Sequence, residues 1–185
     1  LRAGEHFMLD ANQAWDLDTA VAMSRAFEPL QPQWLEEPLA ADRPLDEWLT
    51  LAQATGIPLA GGENLRGPRE FRRAIGSGAL GVVQPDACKW GGISGCTAVA
   101  RHAVESGLRY CPHFLGAGIG LMASAHLLAA VGGDGLLEMD INPNPLREAL
   151  AVPMPRVLDG HFPVPDAPGL GVEPDLAGAA QWLVY

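Results

Sequence analysis

Short apolar runs alternate along this chain with longer stretches that bring apolar residues back every three or four positions. The short runs cover 7–9, 33–35, 58–60, 81–84, 109–111 and 135–137. Their length and the turn residues around them predict strands. The stretches between carry helix signals. Asp16 stands as an N-cap before "LDTAVAMSRAF", and Pro44 as a first-turn proline before a segment that stops at Gly56. Pro68 opens another segment closed by glycine, and two more stop at Gly107 and at the pair Gly132 and Gly133. Strands alternating with helices predict an α/β fold with parallel strands, because each helix carries the chain back to the same end of the sheet.

A polar or charged residue follows each predicted strand: Asp10, Glu36, Glu63, Asp86, His113 and Glu138. By subtraction the intervals are 26, 27, 23, 27 and 25 residues, the length of one βα unit. In a parallel barrel the C-terminal strand ends open on one face and functional side chains gather there from several strands. An open doubly wound sheet gathers them at one switch point. Six successive strand ends with a titratable group point to the barrel. A complete barrel takes about 250 residues, and this chain of 185 shows six units. The expected fold is therefore a partial TIM-type barrel, lacking two strands on its N-terminal side and belonging to a longer protein. Residues 1–150 are expected to form the barrel part, and 151–185 a tail.

Composition narrows the function. The chain is 48% hydrophobic and 18% charged, with a net charge of −10, which suits a globular domain with a sizeable core. So acidic a chain offers no electrostatic footprint for nucleic acid or an anionic membrane. The longest apolar run, "IGLMASAHLLAAV", is too short to span a bilayer and contains His126. Cys88, Cys96 and Cys111 lack zinc-ligand spacing and read as free thiols of a cytoplasmic protein.

At three adjacent strand tips, Asp10, Glu36 and Glu63 would face one space. Their repulsion would keep at least one protonated unless a cation offsets it. An all-oxygen set without Cys or His favours Mg²⁺, with Mn²⁺ as the alternative. Any one of these acids also reads as a helix N-cap or solvated loop end; the three together point to a metal. In "WLEEP", side-chain alternation puts Glu36 on the face of Trp34 and Glu37 on that of Leu35, so only one can join the cluster. Asp86 and His113 follow neighbouring strands. A carboxylate beside an imidazole fixes its tautomer and raises its basicity, as a general base requires. Glu138 either hydrogen-bonds a substrate oxygen or pairs with a cation. Lys89 either lines the site or is a solvated loop lysine. His6, His102, His126 and His161 read as structural or surface residues.

The ordered segments "DANQAW", "WLEEP", "GGEN", "PDACKWGG" and "CPHFLGAGIGLMASAHLLAA" resemble the enolase superfamily over nearly the whole chain. The resemblance is to its mandelate racemase/muconate lactonizing type, in the mandelate racemase-like branch. It implies a (β/α)₇β barrel and an α+β capping domain built mostly from N-terminal sequence. This chain would run from barrel strand three to a tail returning toward that cap, with the cap and first strands absent. The resemblance further implies Asp10, Glu36 and Glu63 as Mg²⁺ ligands, Asp86 and His113 as the dyad whose imidazole is the base, and Glu138 as a hydrogen-bond partner of the substrate carboxylate. Asn12 and Lys89 are further candidates for substrate contact. Where Asp86 stands, the muconate lactonizing and dipeptide epimerase branches have a catalytic lysine, and Lys89 is displaced from it along the motif. The implied reaction abstracts a proton α to a carboxylate and gives an enediolate. The substrate would be a small carboxylate or sugar acid, and the full-length protein a homo-oligomer. Dehydration of an acid sugar is favoured, because one imidazole can serve as base and then acid. Racemisation or epimerisation needs a second base, and a non-catalytic, metal-binding remnant is the remaining alternative.

Overall fold

A computed structural model describes residues 4–184. Five parallel strands lie side by side in chain order: β1 Leu9–Asp10, β2 Leu35–Glu36, β3 Leu59–Gly61, β4 Val82–Val83 and β5 Arg109–Tyr110. Each is followed by a helix: α1 Leu17–Phe27, α2 Leu45–Ala54, α3 Gly67–Gly76, α4 Gly92–Glu105 and α5 Gly118–Val131. Two short helices, α6 Pro145–Ala149 and α7 Leu176–Ala179, come later.

Asp16 caps α1 as its position suggests, its Oδ1 accepting from Thr19 N at 2.9 Å. Pro44 stands one place earlier than expected, as the residue before α2. It is suited to that place because its ring fixes φ and α2 needs no hydrogen bond from its nitrogen. Asp46 and Glu47 then place negative charge in the first turn, at the positive end of the helix dipole.

The sixth predicted strand is a correction. Residues 135–137 do not join the sheet. The segment still lies where a sixth strand would be: Leu136 N donates to Cys111 Sγ at 3.3 Å, and a side chain at Gly135 would collide with the Tyr110 carbonyl. Among the described residues, five strands rather than six are paired.

Side chains alternate across the sheet. Leu35 and Leu59 point outward into a cluster with Leu39, Trp48 and Leu51. Val83 packs outward against Phe71, Ile75 and Val99 of α3 and α4. Trp34, Ala60, Val82 and Cys111 form a separate cluster on the inner side. In a flat sheet β2 and β5 would lie about 14 Å apart, at about 4.8 Å per strand. Yet Arg109 Nη1 donates to Gln33 Oε1 at 2.8 Å, and its guanidinium lies 5.9 Å from the Trp34 ring centre. The sheet is therefore curled, as an arc of a barrel must be.

The tail packs on α5. Ala151 is fully buried, His126 Nε2 lies 3.1 Å from Leu170 O, and Asp175 N donates to Ala149 O at 2.8 Å. Among the described residues, no helix is long and apolar enough to cross a membrane.

Candidate active site

The register of the sheet levels the candidate residues. Asp10 pairs with Glu36, and Glu36 with Ala60, so Glu63 lies just beyond β3. Val83 pairs with Tyr110, and Asp86 and His113 each lie three residues past that pair. All five candidates thus stand at the C-terminal end of the sheet.

Two of them form a buried pair. His113 Nδ1 lies 2.7 Å from Asp86 Oδ2, with His113 7% and Asp86 4% exposed. Asp86 Oδ1 also accepts from Cys88 N at 2.6 Å and Lys89 N at 3.2 Å, which fixes the carboxylate plane. Burial alone would raise the Asp86 carboxyl, but these hydrogen bonds, led by that from His113, outweigh it and hold it low.

Glu63 is the hub of the site. Its Oε2 faces His113 Nε2 at 2.5 Å, and its Oε1 accepts from Lys89 Nζ at 2.7 Å and Asn64 Nδ2 at 2.9 Å. Burial pushes its carboxyl up, yet the hydrogen bonds from His113 and Lys89 win and bring it down to about 2. Burial likewise pushes the His113 imidazole down, but Asp86 and Glu63 outweigh it and raise it to about 10. Lys89 thus lies against Glu63, with its side chain partly exposed.

Glu36 sits on the inner face with Trp34, whose Nε1 donates to Glu36 Oε2 at 3.1 Å. Burial raises the Glu36 carboxyl, a hydrogen bond from Gln84 opposes this, and the charges of Asp10 and Glu63 raise it further. Asp10 is exposed, and its Oδ1 accepts from the Asn12 backbone N–H at 2.7 Å. Asn12 itself has a left-handed φ of 44°. Glu138 Oε2 accepts from Phe114 N at 2.7 Å; burial raises its carboxyl, and His113 lowers it by charge.

Do these residues fit a cation? The donor set is all carboxylate, and Glu36 feels the negative charge of both Asp10 and Glu63. Gln84, which hydrogen-bonds Glu36, keeps its buried Oε1 without a donor among the described residues. A hard cation suits such an acceptor-rich place. The expected convergence of the three carboxylates, however, is not present in this arrangement. Among the described residues, no group of three His, Cys, Asp or Glu side chains is set to hold a metal ion. Glu63 instead turns to Lys89 and His113, because like charges repel and these nitrogens supply the opposite one. Holding an ion would require Glu63 to exchange those partners.

Glu37 faces outward, beside a cavity of about 590 Å³ between α2 and α3 that Trp48, Arg66 and Arg73 also line. None of Asp10, Glu36, Glu63, Asp86 or His113 lines it, so this space is not where the reactive groups meet. Sequence reasoning missed Asn64 and Gln84 as members of the site. The one available signal was their place, next to Glu63 and two residues before Asp86.

Residues 1–178 match the family described as enolase C-terminal domain-like. The chain belongs to that family. It is 31% identical over 174 residues to a D-galactarolactone cycloisomerase of Agrobacterium fabrum, a match covering 90% of this chain and 46% of that protein. A solved mandelate racemase/muconate lactonizing enzyme from Bordetella bronchiseptica RB50 superposes with a TM-score of 0.90 at 56% identity, over 95% of this chain and 49% of that one. An L-talarate dehydratase from Polaromonas sp. JS666, complexed with Mg and L-glucarate, superposes with a TM-score of 0.84 at 33% identity, over 97% and 48%. The chain thus spans about half the length of these relatives, and its curled sheet is part of an enolase-superfamily barrel.

Proposed function

We propose that this chain supplies the acid–base and cation-binding half of a lyase that dehydrates a sugar acid. The observation that carries the reading is the 2.7 Å contact between His113 Nδ1 and Asp86, at the strand ends that also hold Asp10, Glu36 and Glu63. Asp86 occupies Nδ1, and Nε2, which meets Glu63 Oε2 in this arrangement, is the ring atom that exchanges a proton with substrate once Glu63 gives up that contact to hold a cation. His113 Nε2 takes the proton α to the carboxylate, and the electron pair left behind forms an enediolate. That pair then expels the β-hydroxyl, which leaves as water with a proton returned from His113. The resulting enol becomes a 2-keto-3-deoxy acid.

Asp10, Glu36 and Glu63 are the residues that would hold Mg²⁺ or Mn²⁺. A cation bound there would act as a Lewis acid on the substrate carboxylate. Glu138, whose carboxyl burial raises, would donate a hydrogen bond to that carboxylate, and Lys89 would attract it. The similarity to a dehydratase complexed with Mg and L-glucarate supports the substrate class.

The test is proton NMR in D₂O with Mg²⁺ and a panel of sugar acids. Dehydration gives loss of substrate with appearance of a 2-keto acid. Exchange of the α-hydrogen on an intact carbon skeleton would replace this reading with racemisation or epimerisation. Neither outcome across the panel rejects proton abstraction altogether.

A further inference from the structure

We propose that Asn64 is a positioning residue that holds the Glu63 carboxylate for cation binding and is itself held by Glu37. The inference rests on reading Asp10, Glu36 and Glu63 as the cation ligands. The Asn64 amide nitrogen lies 3.0 Å from both Glu37 oxygens and 2.9 Å from Glu63 Oε1. An amide group has two N–H bonds, so one serves each carboxylate. This orientation keeps Oδ1 away from the Glu63 carboxylate, which the hydrogen bonds from His113 and Lys89 hold ionised.

Glu37 is a rigid support for that amide. It is 2% exposed. Its backbone N–H donates to Ala60 O at 3.0 Å, and its carbonyl accepts from Gln13 N at 2.7 Å. Its φ of 37° is one that a residue with a side chain seldom adopts, so the neighbours hold it there. The second glutamate of "WLEEP" therefore reaches the cluster from behind, through Asn64.

The other partners of Glu63 are charged or chemically committed. Lys89 competes with any cation for Oε1, and His113 Nε2 is needed by the substrate. Asn64 is neutral, adjacent in sequence and tied to a buried anchor. It is the contact that stays when the others exchange, and it keeps the carboxylate plane fixed meanwhile.

The experiment titrates the protein with Mn²⁺, reading free Mn²⁺ by electron paramagnetic resonance. Asn64→Ala should weaken binding by about tenfold or more, the effect of losing an outer contact of a metal ligand, with circular dichroism and cooperative melting retained. Glu37→Gln should weaken it less. The double variant should bind no more weakly than Asn64→Ala, because Glu37 acts through Asn64. Should Asn64→Ala fail to fold, Asn64→Ser, whose short hydroxyl cannot span both carboxylates, takes its place with the same expectation. Binding by either variant within twofold of wild type overturns the inference, as does a double variant whose loss is the product of the two single losses. Failure of the wild type to bind Mn²⁺ overturns the cation reading and this inference with it.

Discussion

His113 Nε2 and Glu63 Oε2 stand 2.5 Å apart although β4 separates the strands that carry them. A flat sheet would hold β3 and β5 about 10 Å apart. Curling of the sheet and the reach of the two side chains close that distance and gather the candidate base and Lys89 around one candidate ligand.

Asp86→Asn will lower kcat by about 10²- to 10⁴-fold and leave KM nearly unchanged. The backbone N–H groups of Cys88 and Lys89 hold the amide oxygen, so the amide N–H₂ faces Nδ1 and the ring proton is moved to Nε2, the atom that must accept. Steady-state kinetics on the substrate found in the sugar-acid panel checks this. A loss smaller than tenfold would remove Asp86 from the proton transfer.

Lys89→Met will move two quantities in opposite directions. Mn²⁺ will bind about three- to fivefold more tightly, since a partly exposed ion pair is worth under about 1 kcal/mol and its ammonium now occupies Glu63 Oε1. The KM for an anionic substrate will rise. Equal weakening of both would mean that Lys89 supports the fold of the loop instead.

Gly62→Ala will destabilise the protein by about 1–3 kcal/mol, the usual penalty for a strained backbone position. Gly62 has φ 139°, and an added Cβ would stand 3.0 Å from Gln84 N. That nitrogen donates to Gly61 O at 2.9 Å, so the clash falls on the link between β3 and β4 just before Glu63. Urea unfolding measures the loss, and an unchanged midpoint would contradict the packing described.

Asp16→Ala will lower the melting temperature at pH 7, and the difference will close in acid. Hydrogen bonds from the Thr19 side chain and backbone hold the Asp16 carboxyl below its ordinary 3.8. A carboxyl lowered on folding contributes stability that is full above its unfolded value and is lost as pH falls through its folded one. Melting curves of both proteins from pH 7 to pH 3 should therefore draw together as pH falls below about 4. A gap as wide at pH 3 as at pH 7 would show that the cap works without its charge.

Part of the site was legible because strand geometry is local. Alternation alone set Trp34 and Glu36 on one face, and the structure joins them by a hydrogen bond of 3.1 Å. The same alternation turned Glu37 toward the helices. The spacing of about 25 residues brought Asp86 and His113 to neighbouring strand ends, where they meet at 2.7 Å. Helix ends were readable for a similar reason, since a cap such as Asp16 acts within its own turn.

Other features depend on groups far apart in the chain, and no local pattern encodes them. The sixth apolar run has the composition of a strand, but it meets β5 through Leu136 N and Cys111 Sγ and forms no ladder with it. Asn64 carries no motif of its own; its role comes from lying between Glu37 and Glu63. Three carboxylates at adjacent strand tips were expected to converge, yet Glu63 pairs with Lys89, 26 residues on, and with His113 across β4. By itself the sequence determined the alternation of strands and helices, the parallel order and which residues stand at strand ends, because each follows from short-range periodicity and chain length. Only the tertiary structure decided how far the sheet curls and which opposite charge each carboxylate takes. Those depend on distances of a few ångströms between segments whose order in the chain does not set their separation in space.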